Sequence, residues 1–131
     1  MSAEENKKIV ELFFESSNRG DLDTSVCLIA DDLKWIEIGT TPFSGTFNGK
    51  DEFQENLLGP LFGQLKQGIR MEIHRLIAEG DYVVAQTSGT AETLDGRPYN
   101  NTYCWIMKLR DGKIVEVTEF MDTELVTSVF G

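Results

Sequence analysis

The spacing of apolar residues along the chain switches from helical to alternating, back to helical, and then to alternating for its second half. Ile9, Val10, Leu12, Phe13 and Phe14 recur at helical spacing. Ser2-Ala3-Glu4-Glu5 ahead of them reads as a capping box, with Ser2 as N-cap and Glu5 three residues on. Asn18-Arg19-Gly20 supplies the stop, Gly20 suiting a left-handed position. A first helix is predicted over about 3–19. Asp21 caps a shorter second helix with Leu22, Val26 and Ile29 inward, ending before Asp31-Asp32. Residues 33–39, LKWIEIG, alternate with period two and predict a strand, and 40–49 read as a loop. From Lys50 to about Gln67 the helical spacing returns at Phe53, Leu57, Leu61 and Leu65. Gly59-Pro60 interrupts it, because Pro60 has no N–H to donate and clashes with the preceding turn, so a kink is expected.

The remainder predicts four strands, 69–78, 82–93, 99–109 and 113–121. Their connections carry Gly80-Asp81, Asp95-Gly96 and Asp111-Gly112, which marks them as hairpins of an antiparallel sheet. Helices gathered at one end of the chain and strands at the other predict an α+β fold, with helices covering one face of a curved sheet. One domain, residues 1–131, is expected.

Two positions break the pattern. Val115, Val117, Glu119 and Met121 share one face of the last strand, apolar but for one carboxylate. On the preceding strand Asn101, Tyr103, Trp105, Met107 and Leu109 form the larger, more aromatic face, which is placed under the helices. For these faces to coincide the hairpin needs an odd loop. A loop of Arg110-Asp111-Gly112 satisfies that, setting Trp105 against Val117 and Tyr103 against Glu119. The strand 33–39 repeats the anomaly. Glu37 lies on the face of Leu33, Trp35 and Gly39, while Ile36 and Ile38 compete for the core from the other face.

Burial disfavours the charged form of a carboxylate, and two in one cavity drive their pKa values apart, leaving one protonated and one charged. Glu37 and Glu119 are therefore the candidate catalytic pair, one serving as general acid and the other as general base. Tyr103, Trp105 and Asn101 are the candidates to position a substrate, with Trp35, Phe13, Met107, Val117, Met121 and Thr87 as further pocket wall. His74, the single histidine, lies on a mostly polar strand face and is read as solvated.

Composition narrows the partners. Twenty-two acidic against twelve basic residues give a net charge of −10, which repels phosphate backbones and anionic lipid, so neither nucleic acid nor a membrane surface is expected as a partner. Cys27 and Cys104 form no CxxC or Cys/His cluster, so no metal is expected and buried free thiols are. There is no phosphate-cradling glycine loop, and no cofactor is expected. No apolar run approaches the ~18 residues of a membrane span, and the charged start of the chain does not read as a signal peptide, so a cytoplasmic location is expected.

The segments RGDLDTSVCLIADDLKW and RPYNNTYCWIMKLRDGKIVEVTEFMDT, in this order of elements, resemble nuclear transport factor 2-like proteins, in particular the ketosteroid isomerase-related, SnoaL-like group. The resemblance spans essentially the whole chain. It implies a cone-shaped curved antiparallel sheet with three helices on its concave face, a cystatin-like roll, around a deep apolar pocket. It also implies a homodimer packed sheet to sheet and a small hydrophobic molecule as ligand. Aligned through Ala30-Asp31-Asp32, the general base of ketosteroid isomerases falls on Glu37. Their oxyanion-hole tyrosine and aspartate fall on Phe13 and Trp105, so that hole is missing in its usual form. The catalytic aspartate of SnoaL-like cyclases and limonene epoxide hydrolases falls on Glu119. The hydrolases' arginine and second aspartate fall on Thr87 and Gly89, and their water-positioning residues near Ile38 and Thr40, so most of that constellation is absent. The implied activity is a cofactor-independent isomerase, cyclase or lyase acting on a small apolar carbonyl compound; the alternative is a binding protein for a small hydrophobic ligand.

Overall fold

The computed structural model describes all 131 residues. The chain runs α1 (Ala3–Asn18), α2 (Leu22–Cys27), β1 (Ile29–Glu37), β2 (Gly45–Asn48), α3 (Lys50–Phe53), a π-helical turn (Gln54–Leu58), α4 (Gly59–Phe62), β3 (Arg70–Glu79), β4 (Tyr82–Thr90), β5 (Thr102–Arg110), β6 (Lys113–Met121) and α5 (Thr123–Phe130). The six strands form one curved open sheet in the order β2-β1-β6-β5-β4-β3. The helices α1, α2 and the α3–α4 stretch follow the expected order, and the α+β architecture is the expected one.

Local chemistry accounts for most element ends. Ser2 and Glu5 form the reciprocal capping box at the start of α1, and Asp21 caps α2 through the Thr24 N–H at 3.2 Å. Several boundaries differ from the sequence reading. Helix α2 stops at Cys27, and Ile29, read as its last inward residue, opens β1 instead. Leu22 is exposed, and the buried residue of α2 is Ser25, whose hydroxyl pairs with that of Ser16 at 2.7 Å. The expected kink is a π-helical turn that ends where Pro60 enters α4, so the wide turn absorbs the residue whose N–H is missing. Part of the predicted 40–49 loop is β2, a short edge strand against β1.

The sheet contains one parallel pair. β1 runs parallel to β6, with Trp35 beside Val117 and Glu37 beside Glu119, while every other pairing is antiparallel. The long crossover through β2, α3, α4 and the β3–β5 meander makes that direction possible. β1 turns Leu33, Trp35 and Glu37 inward, which decides between the two faces left open by its pattern.

The last hairpin has the expected facing residues by a different route. Its loop is the two residues Asp111-Gly112, both with positive φ (50° and 78°), between the pair Arg110 and Lys113. A bulge between Lys108/Leu109 and Glu116/Ile114 inserts Val115 and restores the odd-to-odd alignment. Trp105 therefore opposes Glu119 and Tyr103 opposes Met121, two residues away from the register a three-residue loop would set. A bulge at His74 similarly turns Ile73 and Leu76 to one face of β3.

The main core joins α1 (Val10, Phe13, Phe14) to the inner faces of β1, β4, β5 and β6. A second cluster of Leu65, Ala91, Tyr99, Val126 and Val129 fills one end. It is closed by α5, which the sequence reading did not contain. Asp122 caps α5 through Leu125 N–H, and Arg97 donates to the Val129 carbonyl at 2.8 Å. Cys27 is exposed and Cys104 half-buried; both are free thiols, and neither has the burial expected of it.

Candidate functional site

A cavity of about 80 Å³ lies between α1, the α3–α4 stretch and the inner face of the sheet. Its floor is Trp35 and Glu37 from β1, Trp105 from β5 and Glu119 from β6. Phe13, Phe14, Phe53 and Leu57 form buried walls, and the half-buried Ser17, Leu61, Phe62 and Met71 stand nearer solvent. The π-helical turn brings both Leu57 and Leu58 to the cavity. The rings pack against one another: Trp35 stacks on Phe53 at 4.3 Å, Phe14 meets Trp105 edge-on at 5.2 Å, and the two indoles stand at 84° to each other.

The two carboxylates are neighbours because β1 and β6 are parallel and in register at this point. Each side chain is buried, Glu37 9% and Glu119 8% exposed. Trp35 Nε1–H donates to Glu37 Oε1 at 2.7 Å, and the carboxyls hydrogen-bond to each other. Two carboxylates can do that only by sharing a proton. Burial raises the pKa of Glu119 well above the usual carboxylate range, and the negative charge of Glu37 and the hydrogen bond to it raise it further. Burial also raises Glu37, but the hydrogen bonds from Glu119 and Trp35 pull it back. Of the two, Glu119 is pushed further toward its protonated form, while the Trp35 N–H favours charge on Glu37.

The structure brings five of the candidate residues together at the cavity: Glu37, Glu119, Trp35, Trp105 and Phe13. The other six lie elsewhere. Met107 and Val117 are fully buried core beneath the site. Thr87 sits behind Trp105 and accepts its Nε1–H at 2.9 Å, so that indole has no N–H left for a ligand. Asn101 holds the sheet to α5: its Nδ2 donates to Tyr99 Oη and to the Asp122 carbonyl, both at 3.1 Å, and its Oδ1 accepts the Asp122 and Thr102 N–H groups. Tyr103 packs on Trp105 at 5.5 Å, and its buried hydroxyl has no hydrogen-bond partner. Burial, then the neighbouring Tyr99 and the two carboxylates, raises its pKa, so the phenol stays neutral. Met121, opposite Tyr103, is half-buried against the core. Gly89 gives that ring its room, since a Cβ there would lie 2.9 Å from the Tyr103 ring.

Phe14, Ser17, Phe53, Leu57, Leu58, Leu61, Phe62, Ile69 and Met71 also line the cavity and were not singled out from the sequence as site residues. Phe53, Leu57 and Leu61 had a signal, their helical spacing, but it is the same signal that marks ordinary core. No group of three or more His, Cys, Asp or Glu side chains has the arrangement of a metal site. His74 is exposed and bonds Ser88 at 2.8 Å on the outer face.

The SnoaL-like domain family model matches residues 10–117. The chain belongs to the SnoaL-like domain family. Solved structures share the whole architecture of this SnoaL-like domain. Bal32a from a soil-derived mobile gene cassette aligns over 98% of both chains with a TM-score of 0.88 at 19% identity. An NTF2-like protein from Burkholderia thailandensis E264 aligns over 100% of this chain and 99% of its own, with a TM-score of 0.85 at 24% identity. An LEH-like epoxide hydrolase from M. tuberculosis aligns over 96% and 89%, with a TM-score of 0.78 at 21% identity. At these identities the likeness establishes the NTF2-like fold of this SnoaL-like domain. No curated protein matches its sequence. No helix of the chain is long and apolar enough to cross a membrane.

Proposed function

We propose that the protein is a cofactor-independent isomerase, cyclase or lyase that acts on a small apolar carbonyl compound through the Glu37–Glu119 pair. The observation that carries this reading is the pairing itself: two buried carboxyls, adjacent on parallel strands, at the floor of an aromatic cavity. Glu37 is the base and abstracts a proton next to the carbonyl. Glu119 is the donor. When a carbonyl oxygen takes the Glu119 proton as its hydrogen bond, Glu37 loses that bond and becomes more basic at the moment it must act. This division of labour also fills a gap. The positions aligned with the usual oxyanion donors are Phe13, which has none, and Trp105, whose N–H is taken by Thr87. The protonated carboxyl of Glu119 is then the donor that faces a developing enolate.

A cavity of about 80 Å³ suits a compact substrate, being roughly half the volume of a ~150 Å³ cavity that holds benzene. The test is deuterium uptake at the α-carbons of butanone in D₂O, followed by proton NMR. Glu37→Gln and Glu119→Gln should each slow protein-catalysed exchange by about 10²- to 10⁴-fold with the fold retained. Exchange unchanged in both variants rejects the reading.

The second reading is a binding protein that performs no chemistry, favoured by the occupied N–H groups of both indoles. It calls for binding of small apolar ligands without exchange. We also infer a homodimer through the outer sheet face, where Ile77, Tyr82, Ile106 and Phe120 are exposed on neighbouring strands. A cytoplasmic location fits the free thiols and the absence of a membrane-crossing helix.

A further inference from the structure

Glu37 and Glu119 lie buried side by side, and no basic group in the structure stands against the charge that their carboxyls can carry. No lysine, arginine or histidine lines the cavity, and neither glutamate takes part in a salt bridge. The only hydrogen-bond donor from elsewhere is the Trp35 indole. A buried charge without a counter-ion is costly, and buried charges in proteins are normally paired. The cavity is lined by six aromatic rings from five elements, Phe13 and Phe14 of α1, Trp35 of β1, Phe53 of α3, Phe62 of α4 and Trp105 of β5. With the two indole planes at 84°, a group in the corner between them meets both rings. Ring quadrupoles attract cations, and most strongly where water is excluded.

We propose that this cavity binds a small organic cation, a methylated ammonium whose charge neutralises the Glu37 carboxylate while its methyl groups pack on the aromatic walls. This goes beyond the functional reading above and does not require the pair to perform chemistry. A cation and a carbonyl compound would compete for the same space. Methylation matters because the walls offer few polar partners. Of the lining residues only Ser17 and the two glutamates carry polar side-chain atoms besides the indole N–H groups, so ammonium hydrogens beyond the one facing the carboxylate would go unsatisfied.

The test is titration of the full chain with the series from methylammonium to trimethylammonium, in 150 mM sodium chloride. The readout is fluorescence of Trp35 and Trp105, the only two tryptophans, both at the cavity. 2-Propanol and tert-butanol are the uncharged counterparts. A methylated cation should bind about tenfold or more tighter than the alcohol of similar size, and tighter than methylammonium. Glu37→Gln, which removes the carboxylate that accepts the Trp35 N–H, should abolish the preference for the cation while leaving alcohol binding intact. Glu119→Gln, which keeps the Glu37 carboxyl and its Trp35 partner, should retain cation binding even though the functional reading has it lose α-exchange. Alcohols binding as tightly as the cations, or a cation preference that survives Glu37→Gln, overturns the proposal; the second result would place the cation on the acidic surface. Should Glu37→Gln fail to fold, the comparison of cations with alcohols in the native protein decides alone.

Discussion

Glu119 has a pKa raised by burial and by Glu37, and this has a direct consequence for stability. A carboxyl with a raised pKa in the folded state binds more protons there than in the unfolded chain. Its contribution is fully present below the unfolded value of about 4.3 and is lost as pH rises through the folded value. The stabilities of native protein and Glu119→Gln should therefore diverge upward from about pH 4.3, with the native protein losing stability relative to the variant. Urea unfolding at a series of pH values measures this, and a difference independent of pH contradicts it. The exposed Asp21, Asp32 and Asp95 have lowered values and act in the opposite sense, losing their contribution as pH falls. At this scale the sequence was informative about Glu37 and Glu119, because a carboxylate on an apolar strand face is conspicuous. It was uninformative about Asn101 and Thr87. Their roles are set by what their side chains reach, the Asp122 backbone and the Trp105 indole, and a period-two pattern does not contain that.

Elements were legible where local chemistry specifies them and obscure where tertiary contacts do. The capping box at Ser2, the Asp21 cap and the strands of the meander follow from residues within a few positions of each other. The parallel pairing of β1 with β6 does not, because it depends on residues some eighty positions apart, and it is what sets Glu37 beside Glu119. The bulge at Val115 was hidden as well. A two-residue loop plus one bulge and a three-residue loop give the same inward faces but registers two residues apart, so the faces were read correctly and the partners were not. Helix α5 was missed because an eight-residue segment rich in valine and threonine has weak helical propensity and forms by docking. Asn101 is the clamp for that docking. Asn101→Ala leaves the Asp122 N–H and the Tyr99 hydroxyl without a partner and should cost about 3 kcal/mol. Denaturant unfolding measures it, and a loss under about 1 kcal/mol would show that Asn101 is not the clamp.

For the molecule as a whole, the sheet divides two tasks between its faces. The inner face carries the carboxyl pair and the core, and the outer face carries Phe120 and Ile106, 39% and 37% exposed, on adjacent strands. An apolar face on a chain of net charge −10 is consistent with association of two copies, because apolar burial can offset the mutual repulsion of the acidic surfaces. Phe120→Asp, a change on the outer face next to but pointing away from Glu119, should shift the protein to monomers in sedimentation velocity without altering the cavity. Native protein that sediments as a monomer contradicts the dimer. The fold itself leaves the chemistry open, since family membership and a shared architecture are compatible with catalysis or with binding alone. The state of the carboxyl pair is therefore the centre of the account, and carbon-13 NMR titration of the glutamate side-chain carboxyls observes it directly. With Glu37→Gln and Glu119→Gln to assign the signals, the Glu119 carboxyl should remain protonated well above the ordinary carboxylate range while Glu37 carries the charge. Two carboxyls that both ionise near about 4.3, like exposed glutamates, would contradict it.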